Sequence, residues 1–210
     1  MVIDPAVIKP AIESYNRIAL SASYHVSYHL PALYGMDSIW QFQENISGII
    51  VMGSAASVHD GHKWQDDITD LLLESFDKSI PVMGICYGHQ LLAHICGGRV
   101  GPLWHGKKEQ GQRKVSVMEN SLWGKARNGQ MIYSHQDGVT QCPDDFEITA
   151  VSDMVSVDGF VSKTKPIWGF QTHIEATQAF IDNHNIPIAN QQETFAFGHQ
   201  ILDSFILSLA

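Results

Sequence analysis

The sequence predicts an α/β fold: a doubly wound, mostly parallel sheet flanked by helices, with an added small antiparallel β segment. Three observations carry this. Two short apolar runs, S-G-I-I-V-M at 47–52 and I-P-V-M-G-I at 80–85, have the hydrophobicity of strands buried on both faces. Each is followed by a glycine-bearing turn and then by a segment apolar at helical spacing, the alternation that makes a parallel sheet. Residues 113–172 then change character, to the β-type segments R-K-V-S-V-M, F-E-I-T-A-V, M-V-S-V and I-W-G-F-Q-T.

In chain order, residues 5–16 read as a helix that Pro10 interrupts, and 17–30 carry no clear period. The run at 47–52 ends in the turn Gly53-Ser54. Trp64 to Phe76 is apolar at helical spacing, and Asp66 and Asp67 suit the positive end of its dipole. The run at 80–85 passes into a helical segment from Gly88 to Ile95, which Gly97-Gly98 stops. The β-type segments follow. G-H-Q-I-L-D-S-F-I-L-S-L at 198–209 reads as an amphipathic C-terminal helix.

With 210 residues, 44% hydrophobic, the chain suits one domain spanning 1–210 with a substantial core. A net charge of −9 argues against nucleic-acid and anionic-membrane partners. No apolar run is long enough for a membrane span, and M-V-I-D-P-A-V-I-K-P has no signal-peptide pattern. Cys86, Cys96 and Cys142 form neither a disulfide framework nor a C-x-x-C motif, so a reducing cytoplasm is the expected setting.

The chemistry centres on G-I-C-Y-G at 84–88, between strand and helix. This is the thiol form of a nucleophile elbow. A side chain at Gly84 or Gly88 would obstruct the approach of strand to helix. The helix N-terminus favours a Cys86 thiolate, and the Tyr87 N–H can help hold an oxyanion. The same five residues also suit a buried structural cysteine beside packing glycines. Cys96 and Cys142 read as structural. A thiol nucleophile needs a histidine brought near in space. Ile167 to Thr172 reads as a strand running into His173-Ile174-Glu175. Alternation in an extended chain would point His173 and Glu175 the same way, the carboxylate orienting the imidazole. A solvated pair at a strand end is the plainer reading. Of the other histidines, His89 is expected to line the pocket wall. His25 and His29 lack the glutamate of a zinc-protease motif, and His59 and His62 flank Asp60 as a weak metal candidate.

G-I-C-Y-G-H-Q-L-L-A at 84–93, with Q-T-H-I-E at 171–175, resembles class I glutamine amidotransferases, above all stand-alone proteins similar to the glutaminase domain of GMP synthetase. G-S-A-A-S-V-H-D at 53–60 sits where that family has its oxyanion loop, and S-H-Q-D-G-V at 134–139 resembles its Ser-His-x-Asp segment. The resemblance covers about residues 47–209 and implies a flavodoxin-like sheet. It also implies a Cys86–His173–Glu175 triad that hydrolyses the glutamine side-chain amide through a γ-glutamyl thioester. Backbone groups of Gly53, Ser54 and Tyr87 would hold the oxyanion. Gln90, Ser134, His135, Gln136 and Asp137 would hold the amino-acid end of the substrate. No cofactor and no metal are implied. A synthetase partner would consume the ammonia.

The chain departs from the family pattern in places. Ile174 stands where the family has proline, and restoring the proline is expected to leave activity intact or raise it. Gly53-Ser54-Ala55 replaces a loop that ends in proline. Thr172 replaces phenylalanine. An opening strand must come from residues 1–4 or 17–22, unless the fold is altered there. Glutamine hydrolysis is the favoured reading. A γ-glutamyl peptidase or hydrolase with the same triad, and a non-catalytic binding module, remain beside it.

Overall fold

The computed structural model describes residues 1–189 and 191–210, excluding the side chains of Gln43 and of 191–194. The strands are β1 (Val2–Ile3), β2 (Tyr28–His29), β3 (Ile49–Val51), β4 (Val82–Ile85), β5 (Arg99–Pro102), β6 (Glu109–Val117), β7 (Arg127–His135), β8 (Asp137–Gln141), β9 (Phe146–Val151), β10 (Gly159–Ser162) and β11 (Ile167–Phe170). The helices are α1 (Ile12–Ser21), α2 (Pro31–Tyr34), α3 (Asp37–Trp40), α4 (Lys63–Asp77), α5 (Tyr87–Ile95), α6 (Gln178–His184) and α7 (Gln191–Ser208).

A nine-stranded sheet runs in the order β2-β1-β3-β4-β11-β10-β9-β6-β7, and β5 pairs with β8 in a separate two-stranded sheet. From β2 to β11 every neighbouring pair is parallel. From β11 to β7 every pair is antiparallel, as is β5 with β8.

Alternation along the parallel strands divides the core. Ile3, Ile49, Val51 and Val82 pack with Leu71, Leu72, Leu91 and Leu92 of α4 and α5. Val2, Ile50, Met83 and Ile85 pack on the other face with Ile18 of α1 and Ile201, Leu202 and Phe205 of α7. That is the doubly wound arrangement. It sends the C-terminal ends of β1, β3, β4 and β11 to one edge.

The opening strand is Val2–Ile3, and residues 17–21 are helical. The first helix starts at Ile12, two residues after Pro10, rather than at residue 5. Residues 4–11 instead wrap the buried Asp4 carboxylate, which accepts from the Ala6 and Ala11 N–H groups at 3.1 and 2.8 Å and from the Tyr28 hydroxyl at 2.5 Å. M-V-S-V at 154–157 is not a strand. Its stretch is a loop held by Ser152 N–H to Val155 O at 2.9 Å, and the next strand begins at Gly159. No helix among the described residues is long and apolar enough to cross a membrane.

Candidate active site

Cys86 sits at φ 52°, ψ −100°, between the end of β4 and the start of α5. A left-handed cysteine costs about 1–3 kcal/mol of local strain, which the surrounding packing must offset. Its N–H donates to Phe170 O at 2.8 Å, tying the elbow to β11. The flanking glycines are required by contact. A Cβ on Gly84 would lie 2.5 Å from the Gly88 carbonyl group, and one on Gly88 would lie 2.2 Å from Val51 O. The thiol therefore stands at a helix N-terminus, 4% exposed.

His173 and Glu175 reach it differently from the expected route. β11 ends at Phe170, and residues 171–176 form a turn rather than a strand extension. The His173 N–H donates to Ile132 O at 2.8 Å, Ile174 N–H to Thr172 O at 3.1 Å, and Ala176 N–H to His173 O at 3.2 Å. Ile174 anchors the turn, fully buried among Ile201, Leu202 and Phe205. The turn places His173 Nδ1 2.9 Å from Glu175 Oε1, and the ring lies beside Cys86 across Gly53. Burial pulls the His173 pKa down, but Glu175 and then Cys86 outweigh it and raise it to about 10. Phe180 of α6 packs 4.4 Å from the ring, centroid to centroid.

Gly53 follows β3, and a Cβ there would lie 2.7 Å from His173 Cε1 and 3.6 Å from Cys86 Cβ. Only a bare backbone fits beside both groups. The Ser54 hydroxyl turns away, donating to Pro5 O at 2.7 Å. The Tyr87 phenol is also turned inward, bonded to Gln65 at 3.0 Å, so that only its backbone bears on the site.

A cavity of about 470 Å³ opens over the thiol, lined by Gly53, Ser54, Gln90, the 134–137 segment, His173 and Glu175, with Lys9, Lys108 and His184 also on its wall. Ser134 to Asp137 is the junction of β7 and β8. Within it His135 is buried and Gln136 exposed. Gln90 lines the cavity, but both its donors are committed, to Asp137 O at 2.8 Å and to Gln171 Oε1 at 3.2 Å. Only its carbonyl oxygen remains for a ligand.

Sequence reasoning missed Gln171, fully buried, whose amide nitrogen lies 3.7 Å from Cys86 Sγ. Its place two residues before His173 was the available signal. It also missed Asp4, Lys9, Lys108 and Phe180, which carry no motif. His89 does not line the pocket wall. It is fully buried behind it, stacked 4.3 Å from Phe160, and burial lowers its pKa to about 3. His29 is spent on Ser27 and Ser38, each at 2.9 Å. His59 bonds Val100 O at 3.1 Å, and no group of three metal-ligating side chains occurs among the described residues. Cys96 and Cys142 are free and half-buried, and burial pushes both thiols up, Cys96 to about 11.

Comparison with known proteins places these residues in a wider set. The family model for glutamine amidotransferase class-I matches residues 12–187. A GMP synthase [glutamine-hydrolyzing] from Phocaeicola vulgatus is 34% identical over 62% of this chain and 25% of its own length. Another, from Borreliella burgdorferi, is 32% identical over 79% of this chain and 28% of its own. The chain thus spans about a quarter of the length of these relatives. A solved glutamine amido transferase from Methylobacillus flagellatus shares the fold, with TM-score 0.76 and 18% identity over 99% of this chain and 92% of that one.

Proposed function

The chain belongs to the class-I glutamine amidotransferase family, and from that premise we propose that it hydrolyses the side-chain amide of glutamine to glutamate and ammonia. The observation that carries the reading is a strained cysteine at a helix N-terminus, sharing one cavity with an imidazole that a buried carboxylate orients. Cys86 Sγ attacks the δ-carbonyl carbon, and the C=O electrons move onto oxygen. Backbone N–H groups of Tyr87 and of Gly53-Ser54 are the donors available to that oxyanion. The tetrahedral species collapses, the C–N bond breaks, and the His173 imidazolium gives its proton to the departing nitrogen. A γ-glutamyl thioester remains. Neutral His173 then takes a proton from water, which attacks the thioester, and glutamate leaves as the sulfur recovers its electron pair. Glu175 holds the ring and stabilises its cationic form. No step calls on a cofactor.

The 134–137 segment and the Gln90 carbonyl stand where the amino-acid end of the substrate would lie. The relatives matched are glutamine-hydrolysing GMP synthases, which supports a synthetase as the consumer of the ammonia. Three cysteines kept free fit a reducing, cytoplasmic setting.

One observation favours a second reading. The cavity is roomier than a free amino acid needs, and Lys9 and Lys108 line it. A γ-glutamyl compound with an anionic leaving portion would use both features, with the same chemistry.

The test is release of ammonia and glutamate from glutamine, set beside release of glutamate from γ-glutamyl peptides. Turnover of glutamine, lost in Cys86→Ala, is expected. Turnover of peptides alone favours the second reading. Inactivity toward both, with candidate synthetases present, leaves a binding module. A glutamine-like diazo-ketone should label Cys86 and spare Cys96 and Cys142.

A further inference from the structure

The face of the His173 ring is covered by a side chain that the reaction above does not use. Phe180 of α6 lies 4.4 Å from it, centroid to centroid, with 40° between the planes. At that separation the two rings overlap instead of meeting edge to edge. Phe180 is 8% exposed, and it lines the cavity while packing with Ile132, Ala176 and Ile181. Ile132 O also accepts the His173 N–H, so imidazole and phenyl rest on one residue of β7. Further bonds seat α6. Thr177 caps it, its hydroxyl accepting from the Phe180 N–H at 3.4 Å. Lys9 Nζ donates to Asn183 Oδ1 at 2.6 Å, and the Gln110 amide nitrogen lies 3.3 Å from the carbonyl oxygens of His184 and Asn185. The imidazole is thus enclosed, with Phe180 on its face, Gly53 at its Cε1 edge and Glu175 at Nδ1.

We propose that Phe180 is a positioning residue for His173: the negative face of its ring stabilises the imidazolium and, with Gly53 and Glu175, fixes the plane of the imidazole. The face of a phenyl ring carries the negative part of its quadrupole. A cation within about 6 Å of the centroid is attracted to it, more strongly where water is excluded. His173 is 7% exposed, so that condition is met. The contact favours the protonated ring over the neutral one and so raises its pKa, in the same direction as Glu175 and Cys86. A leucine would also cover the imidazole but would supply no such charge. His184 packs on the same phenyl at 4.5 Å. Burial, and then the positive charges of His173, Lys108 and Lys9, lower the His184 pKa, so at neutral pH His173 is the cation that the phenyl serves. The proposal rests on His173 as the acid and base of the proposed reaction, but its first readout needs no turnover.

The experiment titrates the His173 imidazole by NMR in the full chain, with Cys86→Ala in every sample so that no thiol titrates beside it. Phe180→Leu keeps an apolar cover and should lower the His173 pKa by about half to one unit. Phe180→Tyr keeps the π face and should hold the parent value. A ring-fluorinated phenylalanine at 180 keeps the shape but drains the face of charge, and it should lower the pKa as leucine does. The other ionisable groups around the cavity, Asp4, Lys9, Lys108, His135, Asp137, Glu175 and His184, are the same in each. With Cys86 restored, Phe180→Leu should move the alkaline limb of kcat/KM for glutamine to lower pH by the same amount. A packing role alone would lower the thermal midpoint and produce none of these shifts. If Phe180→Leu does not fold, the fluorinated ring and Phe180→Tyr decide. An unmoved or raised His173 pKa in Phe180→Leu, or a fluorinated ring that matches the parent, would overturn the proposal. A protein inert toward glutamine that still gives the expected shifts sinks the glutaminase reading and leaves this inference standing. Turnover of glutamine without the shifts does the reverse.

Discussion

At the residue scale, the proposed reaction rests its proton transfers on His173. Its raised pKa, about 10, keeps the imidazolium present through neutral pH, where the leaving nitrogen needs a proton. kcat/KM for glutamine should therefore hold across neutrality and fall as pH climbs through that value. Glu175 is the largest raising influence, so Glu175→Gln should move the alkaline limb to lower pH and also cost rate, because the ring loses its orienter. A limb that stays put in this variant would separate Glu175 from His173. Gly53 gives a second prediction. Its missing Cβ leaves room for the imidazole, so Gly53→Ala must push His173 away from Cys86 or displace the loop. Misplacement on this scale costs about 100-fold in rate. The expected result is a kcat loss of that order in a protein whose thermal midpoint is little changed. Near-wild-type kcat would mean that this backbone does not approach the reacting groups.

At the element scale, legibility followed burial. β3, β4, α4 and α5 were readable because packing on both faces removes polar residues from strands and leaves helices a one-sided stripe. β1 and β2 are two residues each, too short for any period to show. β7 begins R-N-G-Q, whose hairpin partner β6 supplies what its own polarity does not. Cys86 was legible because steric need forces glycines on either side of it. Its relation to His173 was legible only as a pair of segments, and the geometry came from a turn, not from strand alternation. That difference bears on one expectation. Proline at 174 was expected to leave activity intact or raise it. Yet the Ile174 N–H donates to Thr172 O and its side chain fills the core. Ile174→Pro removes both, so it should destabilise by roughly 2–4 kcal/mol on the scale of a truncated core side chain with a lost hydrogen bond. Denaturant titration measures this, and an unchanged midpoint would return the turn to the family pattern.

At the scale of the whole molecule, the parallel half of the sheet delivers Asp4, Gly53, Cys86 and the 171–175 turn to one edge, as open α/β sheets do. The antiparallel half brings His135 to the same place on a hairpin end. Assembling a polar site between two halves buries titratable groups, and the fold should show it in acid. His29, His89 and His135 are buried neutral, with pKa values lowered by burial to about 4, 3 and 3 from an ordinary 6.5. Below pH 6.5 the unfolded chain takes up protons at these positions while the folded chain does not. Stability must then fall as pH drops, until the folded groups protonate near pH 4 to 3. Each histidine contributes a slope of up to about 1.4 kcal/mol per pH unit. Asp4 and Asp158 oppose this at lower pH, because burial raises their carboxyl pKa values and the folded state holds those protons more tightly. The steep part therefore lies in the first one to two units below 6.5. Unfolding at pH 5.5 should take up more than one proton per molecule, read from the pH dependence of denaturant-derived stability. His89→Gln should lower that uptake by close to one, since its ring is fully buried and stacked on Phe160. A stability that is flat from pH 7 to 5 would mean that these histidines titrate alike in both states, and the buried arrangement drawn here would not hold in solution.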